Sequence, residues 1–212
     1  MHRKVNHMKR YFITGIGTEV GKTIASAVIT QALKADYWKP IQAGELECSD
    51  QMKVKALIDN DTSVFHPESY RLNKPMSPHA AAERDGIEIN LSSVKPPLTK
   101  NHLVIEGAGG LLVPLNNKDT ILDLIEALDV EVILISRHYL GSINHTLMSI
   151  EILKQRNISV KGVLFNGNEN KDTESIITEM SGIEVLGRID ELDKLNKSHI
   201  LSMAEKLKNS LI

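Results

Sequence analysis

The segment Gly15–Thr23 has the residue types and spacing of a loop that binds phosphate groups. It lies between a predicted strand and a predicted helix, so its backbone N–H groups and the start of the helix can both face an anion. Lys22 can then reach the β and γ phosphates of a nucleotide, and the Thr23 hydroxyl can bind Mg²⁺. Ile16 stands where the usual motif has its first glycine, and Gly15 comes one residue earlier. A glycine-rich turn with a chance Gly-Lys-Thr is the alternative interpretation.

A second glycine-rich turn follows a carboxylate at the end of another apolar run. Leu103–Glu106 is predicted to be a buried strand, and Gly107–Gly110 follows it directly. In a parallel sheet this strand end lies beside the phosphate loop, where P-loop proteins hold a metal ion. Glu106 is therefore a candidate metal ligand, and the alternative is an acid that caps a sharp turn.

The rest of the chain alternates between short aliphatic runs and segments of helical periodicity. This pattern predicts a single α/β domain over residues 1–212, with a mostly parallel sheet and helices on both faces. The predicted strands are Tyr11–Thr14, Tyr37–Pro40, Leu103–Glu106, Val130–Ser136, Val160–Asn166 and Ile183–Ile189. The predicted helices are Lys22–Leu33, Pro78–Glu83, Leu91–Leu98, Ile143–Gln155 and Ile200–Leu211. In Ile143–Gln155 the predicted apolar stripe is Ile143, Leu147, Ile150 and Leu153.

The composition is that of an ordinary soluble protein. Of the 212 residues 42% are apolar and 25% charged, and the net charge of −2 argues against a general attraction to nucleic acid or to an acidic membrane. No apolar run reaches the ~18–20 residues that a membrane span needs. Residues 1–8 contain no apolar secretory region and are predicted to be a disordered extension or to precede an alternative start. A single cysteine, Cys48, cannot form an internal disulfide, which favours a reducing, cytoplasmic compartment.

Several of these motifs occur together in one family of enzymes. The segments that carry the likeness are Arg10–Gly15, Thr18–Thr23, Trp38–Ile41, Ser77–His79, Glu106–Gly110, Leu140–His145, Asn166 and Leu186–Gly187. As a set they resemble dethiobiotin synthetase over nearly the whole chain from Arg10. The resemblance implies a P-loop NTPase fold and an ATP- and Mg²⁺-dependent ligase of biotin biosynthesis, with ATP as co-substrate.

The reaction that the resemblance implies joins 7,8-diaminopelargonate and CO₂ into the ureido ring of dethiobiotin. One amine traps CO₂ as a carbamate, and the γ-phosphoryl group of ATP moves to that carbamate. The second amine then attacks the activated carbon, and the ring closes as phosphate leaves. Cations must surround the negative charge that accumulates, and no covalent enzyme nucleophile is required.

The resemblance also implies a role for each matching position. Lys39 and Lys22 are the implied catalytic lysines, and Thr23, Asp50 and Glu106 are the implied Mg²⁺ ligands. The implied nucleotide-binding residues are Glu19, Val20, Gly21, Lys22, Thr23, Ile24, Asp50, Glu106, Gly107, Ala108, Gly109 and the adenine-reading Asn166. The implied substrate-binding residues are Thr18, Glu19, Lys39, Ala43, Gly141, Ser142, Ile143 and Asn144. The last four would come from the neighbouring subunit of a homodimer and receive the substrate carboxylate at a helix start.

Three positions depart from the family pattern. Gly17 replaces an aspartate, Ala43 replaces a serine that contacts the substrate, and Asp190 replaces a proline near the nucleotide base. Loss of the serine hydroxyl predicts weaker substrate binding, by roughly 0.5 to 1.5 kcal/mol. Asp190 leaves a strict preference for ATP open.

Two other classes of ATP-binding protein compete with this interpretation. A cobyrinate-type amide ligase has a related core, but it usually carries a glutaminase domain with a nucleophilic cysteine, for which this chain is too short. A ParA- or MinD-like ATPase switch usually has an additional lysine near the start of the phosphate loop, where this chain has Gly15, Ile16 and Gly17.

Overall fold

A computed structural model describes residues 8–191 and 194–212 of the chain. In chain order the strands are β1 (Arg10–Gly15), β2 (Asp36–Trp38), β3 (Ile41–Ala43), β4 (Phe65–His66), β5 (Tyr70–Leu72), β6 (Leu103–Glu106), β7 (Glu131–Arg137), β8 (Val160–Asn166) and β9 (Val185–Ile189). The helices are α1 (Lys22–Leu33), α2 (Asp50–Leu57), α3 (Pro78–Arg84), α4 (Ile121–Leu128), α5 (Ser142–Gln155), α6 (Lys171–Ser181) and α7 (Lys197–Leu211). Of the predicted N-terminal extension, residues 1–7 lie outside the described residues and Met8 lies within them.

Seven strands form one sheet in the order β4-β2-β6-β1-β7-β8-β9, and their pairings are parallel. The strands β3 and β5 form a small separate parallel pair. Because all strands of the large sheet run the same way, their carboxyl ends meet at one edge, where ligands gather in such folds. That edge carries the ends of β1, β2 and β6 side by side.

Apolar side chains of the sheet alternate between two helical layers. In β1, Tyr11 and Ile13 belong to a core that includes residues of α1 and α7, and Phe12 belongs to a core that includes residues of α3 and α4. A third cluster joins α5 and α6 to β7 and β8. Strands buried on both faces are continuous aliphatic runs for this reason. The predicted α/β architecture is confirmed.

Most predicted elements are confirmed, with ends that differ by a few residues at most. The helix predicted at Leu91–Leu98 is wrong, since only Leu91–Ser93 forms a short 3₁₀ turn. The Asn90 side chain accepts a hydrogen bond from the Ser92 backbone, and Pro96 and Pro97 lack the N–H groups that a helix would need. No element was predicted for α2, α4, α6, β3, β4 or β5.

Two further predictions about elements need correction. The strand predicted at Tyr37–Pro40 ends at Trp38, and the chain bends before β3 begins at Ile41. The stripe predicted for α5 is wrong in part, because Ile143 is 37% exposed. The buried face of α5 consists of Ser142, Thr146, Ile150 and Leu153. Within the described ranges, no helix combines the length and hydropathy that a bilayer crossing requires.

Candidate active site

The phosphate loop connects β1 to α1, and its path depends on residues with positive φ. Glu19 has a φ of 57° and Gly21 a φ of 97°, a left-handed conformation that glycine adopts readily and other residues rarely. A Cβ atom on Gly21 would lie 2.2 Å from Asn166 Nδ2, so a larger residue would displace the Asn166 side chain and adopt a strained backbone. The first N–H groups of α1 have no partner within the helix and suit an anion.

Lys22 is the first residue of α1, is buried, and curls back over the loop. Its Nζ atom donates a hydrogen bond to the Gly17 carbonyl at 2.8 Å. Burial lowers the pKa of Lys22 to about 8, and the nearby Glu106 carboxylate offsets part of that effect. A phosphate group over the loop would favour the charged ammonium, so Lys22 is suited to pair with a nucleotide.

Glu106, at the end of β6, accepts hydrogen bonds from one side chain on α1, one on β2 and one just after β2. The Thr23 hydroxyl and the Lys39 ammonium both donate to Oε1, at 2.9 and 3.1 Å. The Tyr37 hydroxyl donates to Oε2 at 2.9 Å. Burial raises the pKa of Tyr37, and the Glu106 carboxylate raises it further. Glu106 therefore links the ends of β2 and β6 to the start of α1.

Lys39 lies between two carboxylates. Its Nζ atom is 2.7 Å from Asp50 Oδ2 and 3.1 Å from Glu106 Oε1. Burial alone would lower the pKa of Lys39, but Glu106 and Asp50 outweigh it and leave the pKa raised. Burial alone would raise the pKa of Asp50, and the Lys39 charge outweighs it and leaves the pKa lowered. Lys39 and Asp50 are therefore placed to act as a charged pair.

These groups open into a cavity of about 640 Å³, whose size is typical of small-molecule sites. Its lining includes the charged groups Glu19, Lys22, Lys39, Glu45, Asp50, Lys53 and Glu106. It also includes apolar and small residues, among them Ile41, Ala43, Pro75, Met76, Pro78 and Val113. The cavity thus combines an ionic region with apolar surface.

The structure brings most of the predicted site residues to this cavity. Thr18, Glu19, Gly21, Lys22, Thr23, Ile24, Lys39, Ala43, Asp50, Glu106, Ala108 and Gly109 all line it. Val20 and Gly107 are neighbours of lining residues but do not line it themselves. Asn166 ends β8 behind the phosphate loop, where its Nδ2 donates to the Val20 carbonyl at 2.8 Å.

The segment Gly141–Asn144 lies apart from this cavity, at the start of α5. Gly141 adopts a φ of 105° as the N-cap of the helix. Ile143 and Asn144 are exposed. This segment does not reach the charged groups within its own chain, so its predicted role as a contribution from a neighbouring subunit stays a prediction.

Other residues of the site were not predicted from the sequence. Tyr37 contacts Glu106 directly, and Gln42, Glu45 and Lys53 line the cavity. Lys53 pairs with Glu45 and lies 3.4 Å from Asp50 Oδ1. The segment that contains Glu45 and Lys53 has few recognisable motifs. Tyr37 directly precedes Trp38–Ile41, one of the segments that carry the family likeness. Its position just before Trp38-Lys39 was the one available signal.

The donor atoms around Lys39 fit a small hard cation. Thr23 supplies a hydroxyl, and Asp50 and Glu106 supply carboxylates, which are the ligand types that Mg²⁺ prefers. The Lys39 ammonium already touches both carboxylates, which shows that one cation can be shared by them. Within 8–191 and 194–212, no cluster of three or more His, Cys, Asp or Glu side chains is suited to hold a metal. A cation here would therefore depend on phosphate and water for its other ligands, as Mg²⁺ commonly does.

Comparison with known proteins first defines the class. A family profile described as "AAA domain" matches residues 9–199. The cell division ATPase MinD of Pyrococcus furiosus has a TM-score of 0.62 at 14% identity, covering 95% of this chain and 99% of that one. A ParA family ATPase of Chlorobium tepidum has a TM-score of 0.57 at 16% identity, covering 96% of both chains. Likeness at these identities shows the fold alone, that of a P-loop NTPase.

Sequence relatives then define the family. A protein of Christiangramia forsetii named "ATP-dependent dethiobiotin synthetase BioD" is 57% identical over 96% of this chain and 98% of its own length. Proteins of the same name from Cytophaga hutchinsonii and Brucella anthropi are 51% and 46% identical, over 94% and 89% of this chain and 97% and 89% of their own. The chain belongs to the ATP-dependent dethiobiotin synthetase BioD family and is an ATP-dependent ligase. The predicted resemblance is confirmed, and neither competing class is favoured.

Proposed function

We propose that this chain forms dethiobiotin from 7,8-diaminopelargonate, CO₂ and ATP, in the biosynthesis of biotin. The observation that carries the proposal is the position of Lys39 between Asp50 and Glu106, beside the phosphate loop and within one cavity. A ligase that transfers phosphate to a carbamate must hold several anions together, and a fixed cation is what that chemistry needs. The curated names of the relatives support the same activity.

We propose that the phosphate loop holds the triphosphate of ATP. Backbone N–H groups of residues 19–24 and the start of α1 would face phosphate oxygens. The Lys22 ammonium, now bound to the Gly17 carbonyl at 2.8 Å, needs only a side-chain rotation to reach them. A charged phosphate oxygen is a stronger acceptor than a carbonyl. Asn166 would read the adenine edge, because its amide offers both a donor and an acceptor.

We propose that Thr23, Asp50 and Glu106 hold Mg²⁺ together with ATP phosphates. When bound, Mg²⁺ would neutralise phosphate charge and help to orient the γ-phosphoryl group. Lys39 is within reach of Asp50 and Glu106 and would give up one of these contacts to bind the carbamate and the transferring group. Its raised pKa supports a charged ammonium at neutral pH.

The diamine would occupy the rest of the cavity. Its aliphatic chain suits the apolar lining at Ile41, Met76 and Val113, and its reacting amines would lie near Thr18 and Glu19. Ala43 offers no hydroxyl at this wall, so the substrate has one fewer hydrogen-bond partner than the family pattern provides. Holding amine, carbamate and γ-phosphate together makes each step a local one.

We propose that the active form is a cytoplasmic homodimer in which the start of α5 serves the site of its partner. Support comes from the exposed apolar residues around this helix start, since Leu140 is 104% and Met148 53% exposed. A surface of this kind commonly marks an interface. The start of α5 also suits a carboxylate, because its first N–H groups lack helical partners.

The test is product formation from the three substrates with ¹³C-labelled bicarbonate. We expect mass spectrometry to detect dethiobiotin that is one mass unit heavier, and phosphate release only when diamine and bicarbonate are both present. Reactions without one of these substrates are the controls. Full ATP hydrolysis without the diamine, or product without the label, would overturn the proposal.

A further inference from the structure

The Tyr37 hydroxyl makes a contact that the proposed reaction steps do not use. Tyr37 is fully buried in β2, and its hydroxyl donates to Glu106 Oε2 at 2.9 Å. The neighbouring strand β6 pairs with β2 in parallel, with Tyr37 opposite Val104 and Trp38 opposite Ile105. Both strands end at the cavity. The Tyr37 phenol contacts the Glu106 carboxylate from the buried interior rather than from the cavity.

The two oxygens of Glu106 have different partners. Oε1 accepts from Thr23 and Lys39, which both line the cavity. Oε2 accepts from Tyr37, which does not line it. Because a carboxylate is planar and rigid, a donor fixed to one oxygen also fixes the direction of the other. Glu106 is buried, so each of these bonds acts in a medium of low polarity, where it is strengthened.

We propose that Tyr37 is a positioning residue for the ATP-dependent reaction, whose hydroxyl holds Glu106 with Oε1 directed toward Thr23 and Lys39. The inference rests on the proposed function, in which Glu106 and Thr23 bind the metal and Lys39 binds the transferring group. Among residues 8–191 and 194–212 only Tyr37 donates to Oε2, so without the hydroxyl this buried oxygen would lose its hydrogen bond. The carboxylate then rotates to share the remaining donors, and Oε1 leaves the position that the cation requires.

The aromatic ring of Tyr37 has a separate, structural role. It packs against Phe65 with the ring centroids 5.7 Å apart and belongs to the core between the sheet and α1. Tyr37→Phe keeps the ring and removes only the hydroxyl. The chain also provides a matched control, because Tyr11 is buried in the same core and donates its hydroxyl to the Leu211 carbonyl at 2.8 Å, away from the cavity.

The experiment measures the binding of ADP and ATP by calorimetry as a function of Mg²⁺, without diamine or bicarbonate. For Tyr37→Phe we expect the half-saturating Mg²⁺ concentration to rise about 10- to 100-fold, as for other partners that orient metal ligands. Nucleotide affinity in the presence of a chelator should stay within about twofold of the wild type, since the phosphate loop is unchanged. Tyr11→Phe should lower the melting temperature without moving the Mg²⁺ dependence.

A second measurement tests whether Tyr37 acts through Glu106. In a Glu106→Gln background, Tyr37→Phe should change the Mg²⁺ dependence of nucleotide binding by less than about twofold, because the group that it orients is already altered. In the assay of dethiobiotin formation, we expect Tyr37→Phe to lower kcat and to leave the KM for the diamine near that of the wild type. These binding measurements need no product, so they succeed or fail independently of the proposed reaction.

Two results would overturn the inference. One is an unchanged Mg²⁺ dependence in folded Tyr37→Phe protein. The other is an equal loss in Tyr11→Phe, which would mean that any lost core hydrogen bond has this effect.

Discussion

Lys39 is the residue on which the charge balance of the site depends. Its side chain is 5% exposed, and that of its partner Glu106 is 1% exposed. Removing charges from water is costly, and the cost is recovered only where each charge has close partners. Lys39 has Asp50 and Glu106, and Glu106 has the further donors Thr23 and Tyr37. The arrangement is suited to holding a cation beside phosphate rather than to stability alone.

Lys39→Met should reduce turnover while the protein stays folded. Methionine preserves the length and apolar contacts of the side chain but removes the cation that would contact the carbamate and the transferring phosphoryl group. We expect kcat to fall by about 10²- to 10³-fold, the range seen when one group that stabilises developing charge is removed. Dethiobiotin formation measured by mass spectrometry, with circular dichroism for the fold, checks this.

Lys53→Met is the matched control for that variant. Lys53 also lines the cavity and lies 3.4 Å from Asp50 Oδ1, but it is partly exposed and pairs with Glu45 rather than with Glu106. A partly exposed ion pair contributes little, so we expect a change in kcat of less than about fivefold. Equal losses in the two variants would show that any cation near Asp50 suffices and that Lys39 has no particular role.

The elements that position the site are short and lie in the middle of the sheet. β2 and β6 have three and four residues, and they bring Lys39 and Glu106 together because parallel neighbours end at the same edge. At the opposite end of β2, Asp36 accepts hydrogen bonds from Thr99 at 2.6 Å and from the Val64 backbone at 3.0 Å. It also contacts His66. Asp36 thus holds the start of β2, the strand that directly precedes Lys39.

Asp36→Asn should destabilise the protein at neutral pH and much less in acid. Burial would raise the pKa of Asp36, but hydrogen bonds from Thr99, Val64 and His66 outweigh it and leave the pKa lowered. A carboxylate with a lowered pKa stabilises the fold above its unfolded value, about 3.9, and this contribution is lost as the pH falls through the folded value. We expect a loss of about 1–3 kcal/mol at pH ~7, measured by urea unfolding, and this loss should shrink as the pH falls below about 3.9.

Asp59→Asn is the control for this pH dependence. Within the part of the chain that the structure describes, the Asp59 carboxylate has one ion pair, with Lys197 at 3.4 Å, and both side chains are exposed. Its replacement should change the unfolding free energy by less than about 0.5 kcal/mol at either pH. A difference between wild type and Asp36→Asn that persists unchanged in acid would contradict the assignment of the effect to the Asp36 charge.

Elements whose residues carry strong local patterns are predictable from the sequence. Aliphatic runs such as Val160–Asn166 predicted strands, and the glycine loop with Lys22 and Thr23 predicted the phosphate site. The capping box of Thr120 and Asp123 is a local signal as well, and it marks the start of α4. Tyr37 could not be assigned from the sequence, because its contact with Glu106 joins residues 69 positions apart. Only the pairing of β2 with β6 creates it.

The whole molecule shares its architecture with proteins of different activity. MinD and ParA proteins match at 14% and 16% identity, so the fold alone does not determine what the site does. What the site of this chain does depends on its own side chains at the carboxyl edge of the sheet. Assembly would involve the surface around α5. Exposed Leu140 and Ile143 there suit burial against a second copy of the chain.

Mixing two impaired variants should restore activity at low diamine concentration if two chains build each site. Asn144→Asp adds a negative charge at the start of α5, where an acid suits the helix but repels the substrate carboxylate, so it should raise the KM for the diamine. Lys39→Met disables the other half of the site. After subunit exchange at equal amounts, about half of the dimers are mixed and each has one intact site, which predicts about one quarter of wild-type turnover at low diamine concentration. Each variant alone, treated identically, is the control. A mixture no more active than the mean of its two components would mean that each chain completes its own site.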